Sequence, residues 1–282
     1  MSDRRFALRR GETGYPRSLE STPDPPAVLY GIGDAEALEP GLAVVGARRA
    51  TPYGLRCTRL FSAWAASAGV PVISGAAIGC DQEAHRAALD RGGPTIAVLG
   101  SGPDIDYPRR SAGVLRQIRH EHVVVSEYPF GTEPTRWTFV RRNRIIAGLA
   151  RAVLIVEAGL PSGTFTTADA ALDAGRDVLT IPGSIFSPES RGSNRLIRQG
   201  AIPVTDVSEL ALALGMDGTQ AAHAERPPQD DAALRALTAD PLRPDDLARA
   251  LGIDIVSTAR TLGALEARGL IARYPDGRYG IA

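Results

Sequence analysis

From Leu42 onward, short runs of apolar residues alternate regularly with longer stretches of helical pattern. A run that is apolar at every position, such as Ala152 to Val156, is typical of a strand buried on both faces of a sheet. We predict strands at 42–45, 70–74, 95–99, 122–127, 152–156, 178–181 and 202–204. We predict helices near 52–67, 80–90, 111–121, 138–149, 164–174, 193–199 and 207–214.

Strands that alternate with helices favour parallel pairing through right-handed crossovers. The fold class predicted for residues 41–215 is therefore α/β, with a doubly wound, mainly parallel sheet. Residues 1–40 are rich in proline, glycine and charge. They predict an extended arm that packs on this core and carries one short strand near its end.

A second pattern follows this domain. Residues 216–230 predict a linker, since their C-terminal part is polar and contains prolines. Residues 231–282 predict three helices and then a hairpin around Pro275-Asp276-Gly277. The second helix opens with a proline and two acids, residues that favour a helix N-terminus. This order is that of a small winged helix-turn-helix domain.

Composition limits the class of protein. The chain has 282 residues, no net formal charge and a hydrophobic fraction of 44%, which suits one sizeable α/β domain and a small second one. No apolar run approaches the roughly 20 residues of a membrane span, and no secretory signal is recognisable. The two cysteines make no disulfide framework. We therefore expect a reduced, cytoplasmic setting without a membrane.

All 32 basic residues are arginine, since the sequence contains no lysine. This excludes a Walker A lysine, a Schiff-base lysine and the strand lysine of protein kinases. Any anion contact made by a basic side chain must therefore use a planar, potentially bidentate guanidinium.

Small residues follow each predicted strand, at the edge where open parallel sheets bind ligands. Glycine or serine in these loops lets the backbone approach a ligand closely. Arginines accompany them at Arg48 and at Arg141 to Arg144, and the Gly159 to Thr164 loop leads into a helix whose backbone amides suit an anion. The sequence predicts an anion site at this edge.

A single-stranded polynucleotide needs arginines for its phosphates and a surface on which its bases stack. Phe139 and Trp137 lie beside the arginine cluster and supply such a surface. Two structural interpretations stay open. Phe139 is equally typical of a core aromatic, and Arg144 is equally suited to a buried pair with Glu127 or Glu157.

Motifs for other chemistry are lacking in the sequence. No G-x-G-x-x-G follows a strand, and there is no G-x-S-x-G nucleophile elbow. Asp81 and His85 stand one helical turn apart, for which a structural hydrogen bond is favoured over an acid–base pair. His120 and His122 have no partner at metal-ligand spacing. We predict no catalytic residue, no metal and no cofactor.

Ordered motifs from Tyr15 to about Leu210 resemble the DNA-processing protein A family (DprA, also called Smf). They include Val44-Val45-Gly46-Ala47-Arg48, Ser74-Gly75, Asp104 with Asp106-Tyr107-Pro108, Ser126-Glu127-Tyr128-Pro129, Phe139 with Arg141-Arg142-Asn143-Arg144-Ile145-Ile146, and Ser162-Gly163-Thr164.

The resemblance implies an extended Rossmann-like domain, a homodimer, and single-stranded DNA bound in a basic pocket. It also implies that the protein protects incoming DNA and helps load the RecA recombinase during natural transformation. The implied nucleic-acid-binding residues are Gly46, Ala47, Arg48, Ser74, Gly75, Phe139, Arg141, Arg142, Asn143, Arg144, Ser162, Gly163 and Thr164.

The sequence departs from the family pattern in places. The helical N-terminal domain of many members is not expected before the first core strand. Ile78 replaces a frequent arginine, Ala47 a common serine and Val140 a common proline. The winged helix also occurs in the family, but no DNA contact is expected from it on this basis.

Two alternative functions stay open. The segment from Ser162 to Asp169 is similar to the loop of nucleoside-monophosphate phosphoribohydrolases, which would make the protein an enzyme acting on a ribose. Alternatively, Arg260 and Arg268 in the third helix of the C-terminal domain would contact duplex DNA in a winged-helix transcriptional regulator, although acidic neighbours make a poor basic footprint.

Overall fold

The computed structural model describes residues 4–216, 232–274 and 276–281. The chain divides into two compact units, Met1–His223 and Ala224–Ala282. The first unit is built on one large sheet covered by helices. The second consists of helices and a hairpin. Within the described residues, no helix combines the length and the apolar character that crossing a membrane requires.

The strands of the first unit are β1 (Arg5–Arg9), β2 (Val28–Gly33), β3 (Gly41–Val45), β4 (Val72–Ser74), β5 (Thr95–Leu99), β6 (Val123–Ser126), β7 (Ala150–Ile155), β8 (Asp177–Thr180) and β9 (Ile202–Pro203). They form a nine-stranded sheet in the order β1-β2-β6-β5-β4-β3-β7-β8-β9. β2 pairs antiparallel with both β1 and β6, whereas the remaining pairs are parallel. The predicted α/β fold with a mainly parallel sheet is confirmed.

The helices of this unit are α1 (Arg17–Glu20), α2 (Pro52–Ser67), α3 (Cys80–Asp90), α4 (Ala112–Glu121), α5 (Arg136–Leu149), α6 (Thr164–Asp173), α7 (Arg191–Arg198) and α8 (Val207–Ala213). Alternate residues of β5 show how they cover the sheet. Ile96 and Val98 join the core cluster that contains Ile145 of α5, whereas Ala97 and Leu99 join the cluster that contains Leu115 of α4. Helices therefore bury both faces, and the sheet is doubly wound.

The chain reverses its direction of travel across the sheet at β3. From β3 it proceeds outward through β4, β5 and β6, and it then returns to β7 on the other side of β3. The loops that follow β3 and β7 consequently diverge and leave a crevice between them. In open α/β sheets such a switch point is the usual place for a ligand.

The N-terminal arm contributes more to the sheet than the sequence suggested. It forms two strands rather than one, because Arg5–Arg9 pairs antiparallel with Val28–Gly33 and the pair extends the sheet beyond β6. The prediction of a single strand is wrong in this respect. The alternating burial of Arg5–Arg9, with Phe6 and Leu8 packed on the core, is the signal for the missed strand.

Arg144 of α5 ties the arm to the core. Its guanidinium donates to both carboxylate oxygens of Glu127, at 3.1 and 2.8 Å, and to Asp24 of the arm at 2.8 Å. Glu127 follows β6, so a single side chain joins three segments of the unit. Arg144 thus adopts the structural pairing with Glu127 that the sequence had left open.

Asp81 and His85 also have structural roles. The Asp81 carboxylate accepts a hydrogen bond from the Gly75 amide at 3.2 Å. The Thr95 hydroxyl donates to the Val72 carbonyl, so His85 Nδ1, 2.8 Å from that hydroxyl, acts as the donor to it. Burial lowers the pKa of His85 to about 3. The structural interpretation of both residues agrees with these contacts.

The second unit contains α9 (Ala232–Ala239), α10 (Pro244–Leu251), α11 (Ile255–Ala267) and the antiparallel strands β10 (Ile271–Arg273) and β11 (Tyr279–Ile281). Its core includes Leu234, Leu237, Leu247, Leu262 and Ile271. The predicted order of three helices and a hairpin is confirmed. The predicted linker, apart from Met216, and the turn residue Pro275 lie outside the described residues.

Acidification should destabilise the protein partly through His85. A neutral buried imidazole with a pKa near 3 binds no proton at pH 5.5, whereas an unfolded histidine with a pKa of about 6.5 does. The contribution is therefore complete above pH 6.5 and is lost as the pH falls. We expect it to decrease by ~1.4 kcal/mol between pH 7.5 and 5.5. Urea unfolding of His85→Gln should lack this part of the pH dependence; equal slopes in both proteins would contradict it.

Removing the Arg144 guanidinium should destabilise the first unit. Arg144→Met leaves the Glu127 carboxylate, whose side chain is only 9% exposed, without this partner. Breaking a buried pair on one side costs about 3–5 kcal/mol, and we expect the lower end because Arg141 still pairs with Glu127. Urea unfolding should show this loss, with Arg151→Met, at an exposed position of β7, as the matched control. A loss no larger than that of the control would show that the tie is not needed.

Candidate nucleic-acid interface

An open cavity of about 710 Å³ lies at the switch point of the sheet. Its walls are the loops after β3 and β7 and the N-terminal half of α5. Nine of the predicted site residues line it, namely Gly46, Ala47, Arg48, Phe139, Arg142, Asn143, Ser162, Gly163 and Thr164. The sequence motifs therefore converge on one surface of the molecule.

The other four predicted residues do not line this cavity. Ser74 is buried, and its hydroxyl donates to the Val44 carbonyl. Gly75 lies directly against the Arg142 guanidinium, so close that a Cβ there would overlap it. Arg141 and Arg144 both pair with Glu127, Arg141 through Nε at 3.2 Å. The structure gives these residues supporting positions.

Exposed arginines surround the mouth of the cavity. Arg48, Arg49 and Arg136 line it, and no ion pair within the described residues occupies their guanidinium groups. Sequence reasoning missed Arg49 and Arg136. The first directly follows Arg48, and the second begins the helix that carries the arginine cluster, so proximity to the chosen residues was the available signal.

An aromatic stack accompanies these cations. The rings of Phe139 and Tyr107 are stacked, with centroids 5.4 Å apart and planes inclined by 30°. The Arg48 guanidinium lies 5.9 Å from the Phe139 centroid. Tyr107, which lies after β5, was missed as a site residue, and it replaces Trp137 as the neighbour of Phe139. Trp137 is 66% exposed and lies outside the lining.

Arg142 forms part of the cavity floor. Its side chain is 4% exposed, and its NH1 group donates to the Val98 carbonyl. Burial lowers the pKa of Arg142 to about 10, with the Arg48 charge acting in the same direction, while the nearby Asp81 carboxylate acts against both. Burial also raises the pKa of Asp81. Arg142 remains charged at neutral pH and places a positive charge beneath the floor.

The loop after β7 presents the N-terminus of α6. Gly163 is the N-cap, and the Ser162 and Thr164 hydroxyls are 2.8 Å apart. Asn143 Nδ2 donates to the Thr166 hydroxyl at 2.8 Å, which joins the first turn of α6 to α5. The positive end of a helix dipole favours an anion. The arrangement therefore places a helix N-terminus and arginine side chains, both suited to phosphate groups, at the same cavity.

A second cavity of about 530 Å³ lies between α6, α7 and β8. Phe165, Asp169 and Arg195 are among its lining residues. Asp169 therefore lies in a different cavity from Ser162 to Thr164. Within the described residues, no group of three or more His, Cys, Asp or Glu side chains is placed to hold a metal ion.

Comparisons with known proteins show the family of this chain. The family model for DNA recombination-mediator protein A matches residues 7–215, and the model for the DprA winged helix domain matches residues 217–277. Protein Smf of Escherichia coli is 41% identical over 276 residues, which cover 93% of this chain and 74% of that protein.

Two solved structures have the same fold. The X-ray structure of DNA processing protein A from Streptococcus pneumoniae has a TM-score of 0.70 at 38% identity and covers 74% of each chain. A Helicobacter pylori DNA processing protein A, whose structure concerns its single-stranded DNA binding mode, has a TM-score of 0.68 at 28% identity and covers 75% of this chain and 96% of that one. By sequence and by fold, this chain belongs to the DprA/Smf family of DNA recombination-mediator proteins.

Proposed function

We propose that this protein binds single-stranded DNA at the switch-point cavity, protects incoming DNA and helps load RecA during natural transformation. The family is one of DNA recombination mediators. The Helicobacter pylori relative is described as a single-stranded DNA binder. Both support the proposal for this chain.

One observation carries the proposal. Three exposed arginines that have no ion-pair partner in the described part of the chain border the same open cavity as a pair of stacked aromatic rings and a helix N-terminus. Guanidinium groups suit phosphates, and aromatic rings suit bases of any sequence. The combination suits a polynucleotide, because such a chain presents phosphates and bases together.

We assign different roles to the thirteen predicted residues. Arg48 contacts phosphates and Phe139 contacts bases. The walls are formed by the loop residues Gly46, Ala47, Ser162 and Gly163, by Asn143 of α5 and by Thr164 at the start of α6. Arg142 supplies charge from below. Ser74, Gly75, Arg141 and Arg144 act through packing and ion pairs. This division of roles follows the exposure of each side chain, because a guanidinium that is already paired or buried is not free to bind a DNA phosphate.

The domain division that supports this function has four parts. We propose an arm at residues 1–40, a single-stranded DNA-binding domain at 41–215, a linker at 216–230 and a winged-helix domain at 231–282. Direct DNA contact is assigned to the second part only. Arg260 and Arg268 are exposed, but Glu266 lies between them in sequence and is exposed as well.

The protein would act without catalysis. An enzyme of the phosphoribohydrolase type needs its carboxylate beside the phosphate-binding loop. Asp169 instead lines the second cavity, away from the cavity that Ser162 to Thr164 border. This separation favours a binding protein over that enzyme.

The partners we propose are RecA and a second copy of the chain, in the cytoplasm. Ile185 and Phe186 are largely exposed apolar side chains within the 178–200 region, and they are candidates for the dimer surface. Two free cysteines, Cys57 and Cys80, are compatible with a reducing compartment.

Arg48→Ala should weaken the binding of oligo-dT on the order of tenfold, because one phosphate contact and the cation over Phe139 are removed. The slope of log K against log salt should fall by about 0.7. Fluorescence polarisation at several salt concentrations measures both quantities. Arg151→Ala, at an exposed position near the start of β7 and hence at the opposite edge of the sheet, is the matched control and should bind as the wild type does.

Three results would count against the proposal. The first is equal affinity and equal salt slope in the Arg48 and Arg151 variants. The second is the release of free base from AMP at catalytic rates, as measured by chromatography, which would favour the phosphoribohydrolase. A preference for duplex over single-stranded DNA in competition would favour the transcriptional regulator instead.

A further inference from the structure

Tyr107 offers the more accessible aromatic surface at the cavity. Phe139 is only partly exposed, with Arg48 and Tyr107 both placed against its ring. Tyr107 retains 45% of its surface exposed and also lines the cavity. Its phenol hydroxyl makes no hydrogen bond within the described residues. A ring that served only to cover Phe139 would leave less of its surface in water.

The loop that carries Tyr107 is held in place by Arg119 of α4. This side chain is 11% exposed and donates to the Pro103 carbonyl at 2.8 Å, to Asp106 at 2.6 Å and to the Ile105 carbonyl at 3.1 Å. The segment before Tyr107 is therefore anchored at two backbone carbonyls and at one side chain. A ring on an anchored backbone loses little conformational entropy when a ligand stacks on it.

Two cations lie just after Tyr107, beyond Pro108. Arg109 and Arg110 are exposed, and no ion pair within the described residues involves them. They belong to a short 3₁₀ turn, Arg109–Ser111, that is fixed by Gln82 Nε2 donating to the Arg110 carbonyl at 2.8 Å. Both acids of this loop are already paired, Asp104 with Arg5 and Asp106 with Arg116 and Arg119. The surface beside the ring is therefore positively charged.

We propose that Tyr107 is a second base-stacking residue, and that Arg109 and Arg110 hold the phosphates of the nucleotides that stack on it. The single strand would then extend from the cavity across the loop after β5. This inference rests on the proposed function and adds a contact surface to it. It assigns the base contacts to Tyr107 and the phosphate contacts to the two arginines, which makes the two parts separately testable.

The test compares oligo-dT with an abasic oligonucleotide of the same length, by fluorescence polarisation over a range of salt concentrations. Tyr107→Ala should bind oligo-dT about tenfold more weakly, with little change for the abasic strand and no change in salt slope, because stacking requires a base. Tyr107→Phe should bind within about twofold of the wild type, since the π-face that stacks is retained. Tyr107→Leu keeps an apolar neighbour for Phe139 without an aromatic face, and it should bind as weakly as the alanine variant.

The double variant Arg109→Ala/Arg110→Ala should weaken the binding of oligo-dT and of the abasic strand by the same factor. It should also lower the slope of log K against log salt by roughly 1.4, or about 0.7 for each phosphate contact. Arg151→Ala is again the matched control. Wild-type affinity for oligo-dT in both Tyr107→Ala and Tyr107→Leu, together with weaker binding by Phe139→Ala, would overturn this inference and leave the proposed function intact. Failure of the wild-type protein to bind oligo-dT at all would overturn both.

Discussion

The buried guanidinium of Arg142 is the contact on which the cavity depends. It joins α5 to the Val98 carbonyl of β5, lies against the backbone at Gly75 and interacts with Asp81 of α3. A buried charge is costly unless hydrogen bonds and an opposite charge accompany it. These neighbours fix the distance between the helix and the strand loops. The shape of the cavity floor and its positive charge therefore have one origin.

The arginines of α5 divide their roles according to the geometry of the helix. Arg141 and Arg144 lie three positions apart and meet the same carboxylate, Glu127, while Arg142 points beneath the cavity and Arg136 stands at its mouth. Neighbouring residues on a helix are about 100° apart, so adjacent arginines cannot all face one ligand. Arginines that are close in sequence therefore take different places in the folded protein. Arg141 and Arg144 form ion pairs, Arg142 lies under the cavity floor and Arg136 lies at the cavity mouth.

Much of the fold could be predicted from the pattern of apolar residues. The predicted core strands and helices agree with the structure to within two residues at their ends, because β3, β5 and β6 are buried at every position and the helices between them are well separated. Strand β1 was not predicted, because five residues of alternating burial near a charged terminus give only a weak strand pattern. Tyr107 could not be predicted as a site residue from its position after a strand, because it lies eight positions beyond Leu99, at the far end of the loop.

By itself, the sequence determined the α/β class, the absence of lysine chemistry and the set of loops that gather at one edge of the sheet, since these follow from periodicity, composition and strand direction. Only the tertiary structure decided which arginines remain free. Whether a guanidinium meets a carboxylate depends on residues far apart in the chain, such as Asp24 and Arg144. The same is true of the stacking of Tyr107 on Phe139, because the local sequence around either residue does not determine the distance between the two rings.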